Sequence, residues 1–147
     1  MTIASLCGPT CGASLFVHVL GATLLFGALL AVTTLGFASV RIVEHGPMLR
    51  RLAFTIMLAG VWPSYILMRV GAQWVLAHEG LDNDSVPGWV GVGLLVSDVG
   101  IVVLLVLTLL AWLGLRRPRV GVWFAGLAAV YLVALGVAVF AMSAKPG

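Results

Sequence analysis

Four stretches of this chain, 13–40, 52–77, 89–115 and 120–143, stay apolar for long enough to cross a hydrocarbon layer, which takes ~20 helical residues. That removes most of fold space. A bilayer core offers no water to unpaired peptide groups, so a crossing segment must satisfy its own backbone, as an α-helix does. The connections, 41–51, 78–88 and 116–119, are short, and short connections make sequence neighbours pack antiparallel. The expectation is an all-α, polytopic membrane protein: an antiparallel four-transmembrane-helix bundle, one domain over 1–147. Composition agrees, with 62% hydrophobic and 9% charged residues, where a soluble domain carries roughly a quarter charged.

Charge sets the orientation. The sequence pI of 9.4 would suit a nucleic-acid partner, but six of the eight basic residues form two clusters, Arg41, Arg50, Arg51 and Arg116, Arg117, Arg119. Clustered beside apolar spans, arginines read as topology determinants and lipid-headgroup contacts, which excludes the nucleic-acid reading. Both clusters fall on one side, and Glu79, Asp82 and Asp84 fall on the other. The expected placement is the cell (inner or plasma) membrane, with loops 41–51 and 116–119 cytoplasmic and both termini outside. Glu44, His45 and the Gly46-Pro47 pair read as a solvated turn. The first apolar run lacks a basic leader and exceeds a signal peptide's apolar stretch, so it is expected to be retained.

Two opposite charges lie inside these spans. Arg69 stands nine residues before His78 and Asp98 nine residues after Trp89. At about 1.5 Å per residue both lie roughly 13 Å below the outer interface. Level, oppositely charged and on adjacent helices, they are expected to pair, since a lone charge in hydrocarbon is costly. Trp62, Tyr65, Arg69 and Gln73 recur at three- and four-residue spacing, a polar-aromatic stripe poorly suited to lipid. Pro63 within it predicts a kink that frees the carbonyl near Ala59. His18 enters the same leaflet from the first helix. Three roles stay open for it: a hydrogen bond to Asp98 or to a helix backbone, an axial haem or copper ligand, or a proton relay with Asp98.

Other candidates are thinner. Cys7 and Cys11 form a Cys-x3-Cys pair on the outer side, suited to a disulfide, to Cu(I), or to a plain helix start. Met142 and His78 are the nearest second ligands for a metal on His18, and either needs helix tilt to reach it. Glycines such as Gly21, Gly27, Gly36, Gly126 and Gly136 read as helix-packing positions. Gly91, Gly93 and Gly100 crowd Asp98 and carry a second reading, room for a ligand.

The first helix reads Phe16-Val17-His18-Val19-Leu20-Gly21-Ala22-Thr23-Leu24-Leu25-Phe26-Gly27. This run resembles the His-Val-Leu-Gly…Leu-Phe-Gly stretch of an uncharacterised family of bacterial four-helix integral membrane proteins. That family is distantly similar to the copper resistance D proteins and to haem-binding membrane protoporphyrinogen oxidases. The resemblance implies a working histidine near the outer end of the first helix, which maps onto His18 alone. The oxidase's third-helix lysine has no counterpart, because Asp98 is the one charge in that span here.

No catalytic motif names a reaction. The leading expectation is a non-enzymatic accessory or scaffold subunit, with the lipid bilayer and other membrane subunits or further copies of itself as partners. The alternative is a redox protein holding b-type haem, copper or a quinone, with His18 as ligand and Arg69 balancing an anionic group. A proton-coupled carrier, built as an oligomer, comes third.

Overall fold

The computed structural model describes residues 9–79 and 88–143, and it is helical throughout apart from two short turns. Helix α1 runs Pro9–Arg41, α2 Gly46–Ile56, α3 Trp62–Glu79, α4 Gly88–Arg116 and α5 Val120–Ser143, with α2 and α3 joined by a π-helical turn, Met57–Val61. Together they make four membrane-length helical spans, Gly12–Arg41, Gly46–Ala77, Gly93–Arg116 and Val120–Phe140. The chain is an all-α antiparallel four-helix bundle of the multi-pass membrane type.

Two boundaries depart from the sequence expectation. The first connection is shorter, because α2 starts at Gly46, not after Arg51. Pro47 stands in its first turn, where a missing N–H and a fixed φ cost nothing. Glu44 and His45 lie in an exposed turn as expected, whereas Gly46-Pro47 is a helix start, and Arg50 and Arg51 are helical. Likewise α1 begins at Pro9, so Cys11 lies in its first turn and does not precede it.

The core repeats at threes and fours. Leu25, Leu29 and Val32 come from α1, Leu104, Leu107 and Ala111 from α4, and Phe124, Ala128, Tyr131 and Leu135 from α5. This is the spacing of near-antiparallel bundle packing. The second span contributes Ala53, Met57, Val61 and Tyr65, every fourth residue. On a regular α-helix such a row drifts about 40° per step. The π turn widens the helix where the row crosses it and holds it on the core face. It also takes up the lesion left by Pro63: the Trp62 N–H donates to Met57 O, five residues back. Where a kink is expected at Pro63, the structure has a π turn that ends two residues upstream.

Packing is closest between α1 and α3. A β-carbon added at Gly21 would collide with the backbone of Met68, and one at Gly71 with the backbone of His18. Membrane helices associate through such backbone approach. Most hydroxyls in the spans are spent within their own helix: Thr33 donates to Leu29 O at 2.7 Å and Ser39 to Gly36 O at 2.8 Å.

Gly21→Ala and Gly71→Ala are each expected to destabilise the folded protein by about 1–3 kcal/mol through overpacking. Gly27→Ala, where a β-carbon meets nothing within 4 Å, should stay within about 0.5 kcal/mol of the parent. Thermal unfolding in mild detergent measures the difference.

Candidate functional site

On its far flank from α1, α3 meets α4 through side chains. The backbone of α4 packs on α2 and α5, whereas α3 reaches across with three long residues. Trp62 Nε1 donates to Thr108 Oγ1 at 2.9 Å, and Thr108 passes its own proton to Leu104 O at 2.7 Å. The Tyr65 hydroxyl donates to Ser97 O at 2.7 Å. Arg69 Nη1 donates to Ser97 Oγ at 3.2 Å, and Nη2 forms an ion pair with Asp98 Oδ1. Trp62 and Tyr65 stack edge to face, centroids 6.3 Å apart, a favourable aromatic arrangement.

The structure therefore brings Tyr65, Arg69 and Asp98 together and adds Ser97 and Thr108, which the sequence reading did not single out. Their signal was present: two hydroxyls eleven residues apart, three helical turns, in an otherwise apolar helix. Gln73 does not join them; its side chain is exposed. The pair itself is unevenly covered. The Arg69 side chain is 29% exposed and that of Asp98 60%, so the carboxylate lies at the bundle's surface.

His18 belongs to the opposite flank. Its Nδ1 lies 2.9 Å from Met68 O. A carbonyl only accepts, so Nδ1 carries a proton, which leaves the Nε2 lone pair free in the neutral ring. Among the roles open to His18, the contact found is with helix backbone and not with Asp98. Arg69 bonds to α4, while His18 bonds to the backbone of α3 from α1. Among the described residues no group of three His, Cys, Asp or Glu could hold a metal. Cys7 lies outside the described residues, as do the side chains of Cys11, His78 and Met142.

Of the glycines near Asp98, Gly100 makes room for protein. A β-carbon there would strike the Tyr131 hydroxyl of α5. Tyr131 is 4% exposed, and its Oη has no hydrogen-bond partner among the described residues. Gly91 has open space around it.

Asp98→Asn and Arg69→Gln are each expected to lower stability. The double variant should lose less than the sum, with a coupling of about 1 kcal/mol in a detergent unfolding assay. Strictly additive losses would refute the pairing.

No protein-family model, curated protein or solved structure matches this chain.

Proposed function

We propose that this protein is a small non-enzymatic subunit of a membrane complex and that it meets its partner along the α3–α4 edge. The observation that carries this reading is Asp98: a carboxylate within a membrane-length span, 60% exposed at the bundle surface. A charge facing lipid is costly even when a neighbour compensates it. A polar group from a partner helix would cover Asp98 and give the exposed Gln73 a hydrogen bond. The partner is another membrane subunit or a second copy of the chain. The arginine clusters, at the ends of the bundle around 41–51 and 116–119, favour a cytoplasmic side in a plasma-type membrane by the positive-inside rule. On that orientation the α3–α4 edge lies in the outer leaflet.

A second reading, a redox protein, draws on one observation. Ligating histidines usually donate their other ring nitrogen to a carbonyl or carboxylate, and His18 makes that bond to Met68 O. His18 is, however, a single donor, and the described residues around it do not assemble a haem or copper pocket. The resemblance of the first helix to the copper resistance D and oxidase relatives adds His18 as an expectation and nothing about the rest of the site.

Site-specific photocrosslinking in native membranes tests the first reading. A photoreactive residue at Gln73 should give a discrete protein adduct whose mass identifies the partner, and the adduct should be lost in the Arg69→Gln, Asp98→Asn double variant. The same probe at Val133, on the lipid-facing side of α5 and 67% exposed, should give none. Equal labelling at both positions, or none at Gln73, overturns it. Reduced-minus-oxidised visible spectra test the second reading: a haem band that survives His18→Ala excludes His18 as the ligand.

A further inference from the structure

At the opposite end of the bundle a second arginine, Arg50, has no counter-ion among the described residues. Arg50, in the second turn of α2, lines a crevice where all four spans converge, walled by small residues such as Gly36, Ser39, Gly114 and Gly121 and by the larger Leu110 and Phe124. The Arg50 Nε is buried and has no hydrogen-bond partner. Its guanidinium folds over Gly46, where a β-carbon would come within 3.2 Å of Nη1, so glycine there clears its path. A buried N–H of a charged group left unmade is costly, and here it is the Nε alone that is buried, the residue as a whole being partly exposed.

The surroundings do not supply the missing anion. Gly114 and Gly121 flank the turn that carries Arg116, Arg117 and Arg119, and Ser39 lies two residues from Arg41. Glu44 is the one acid in the two arginine-bearing connections. Arg116 is stacked over Trp112, 5.3 Å from the ring centroid, an aromatic-cation pair typical of the headgroup level. A water in the crevice would satisfy Nε but leave the charge. An oxyanion does both, because the guanidinium fork matches phosphate geometry in two hydrogen bonds. The crevice holds about 10 Å³, room for about one oxygen atom, with the rest of the group at its mouth.

We propose that Arg50 is the centre of a phosphate-binding site at the arginine-rich end of the bundle, occupied by the phosphate of an anionic lipid headgroup or by free phosphate. It is independent of the α3–α4 edge.

The test uses the full-length protein in mild detergent. Native mass spectrometry with added phosphatidylglycerol or phosphatidylcholine counts retained lipid, and a parallel titration with inorganic phosphate follows the melting temperature. One phosphatidylglycerol should be retained in preference to phosphatidylcholine. Occupancy should fall at least tenfold in Arg50→Gln and Arg50→Lys, the latter keeping charge but losing Nε–H, and less than twofold in Arg119→Gln. A melting shift with inorganic phosphate and no lipid preference assigns the site to free phosphate. As a measurement free of substitutions, the ¹⁵N-labelled Arg50 Nε–H signal should shift saturably with the ligand that binds. Full binding in a folded Arg50→Lys variant, or no saturable response to either ligand, overturns the site.

Discussion

Hydrocarbon gives an apolar helix no reason to exchange lipid for another helix, so the backbone approach of α1 to α3 is the contact on which the bundle rests. Gly21 and Gly71 permit it, each occupying a place where a side chain would enter the facing backbone. The same contact brings His18 within reach of Met68 O. With α3 set flush against α1, its other flank stands off from α4, and only long side chains cross. Trp62, Tyr65 and Arg69 do so, and each ends on a polar group of α4. The polar cluster is thus a consequence of how one helix is seated: glycine on one flank, aromatic and guanidinium reach on the other.

The π turn decides which way that reach points. One extra residue in a helix rotates everything beyond it by about 100°. Met57–Val61 precedes Tyr65 and Arg69, so these two face α4 because the turn is there, and the turn is there because Pro63 cannot donate its share of the ladder. A residue that looks like a defect in the second span therefore aims the site.

This explains which features were legible in the sequence. Depth along a helix is a count multiplied by a fixed rise, so Arg69 and Asp98 could be placed level from residue numbers alone, and apolar run length announced the four spans. Azimuth is different, because it accumulates over every residue and any local change in winding resets it. Gln73 was grouped with Arg69 by spacing and ends up exposed. Ser97 sits beside Asp98 but carries no distinct sequence signal of its own, since a serine in a membrane helix usually bonds its own backbone, as Ser39 does here. The early start of α2 was hidden by Gly46-Pro47, a pair that reads equally as a turn or as a helix beginning. By sequence alone Arg50 therefore reads as a loop residue among headgroups.

The two ends of the bundle are built on different electrostatics. Arg69 and Asp98 cancel, so their edge presents a dipole: it discriminates by geometry, rewards a partner that supplies a hydrogen bond in the right place, and feels little from distant ions. The arginine-rich end sets Arg41, Arg50, Arg51, Arg116, Arg117 and Arg119 against Glu44, a net charge that attracts anions from a Debye length away and weakens as salt rises. Arg50 converts that diffuse attraction into one defined position, because its buried Nε offers a hydrogen bond that surface arginines make with water. A helix partner and a phosphate are therefore not competing accounts of one site. They are what a neutral, directional edge and a charged, pre-formed crevice would each select.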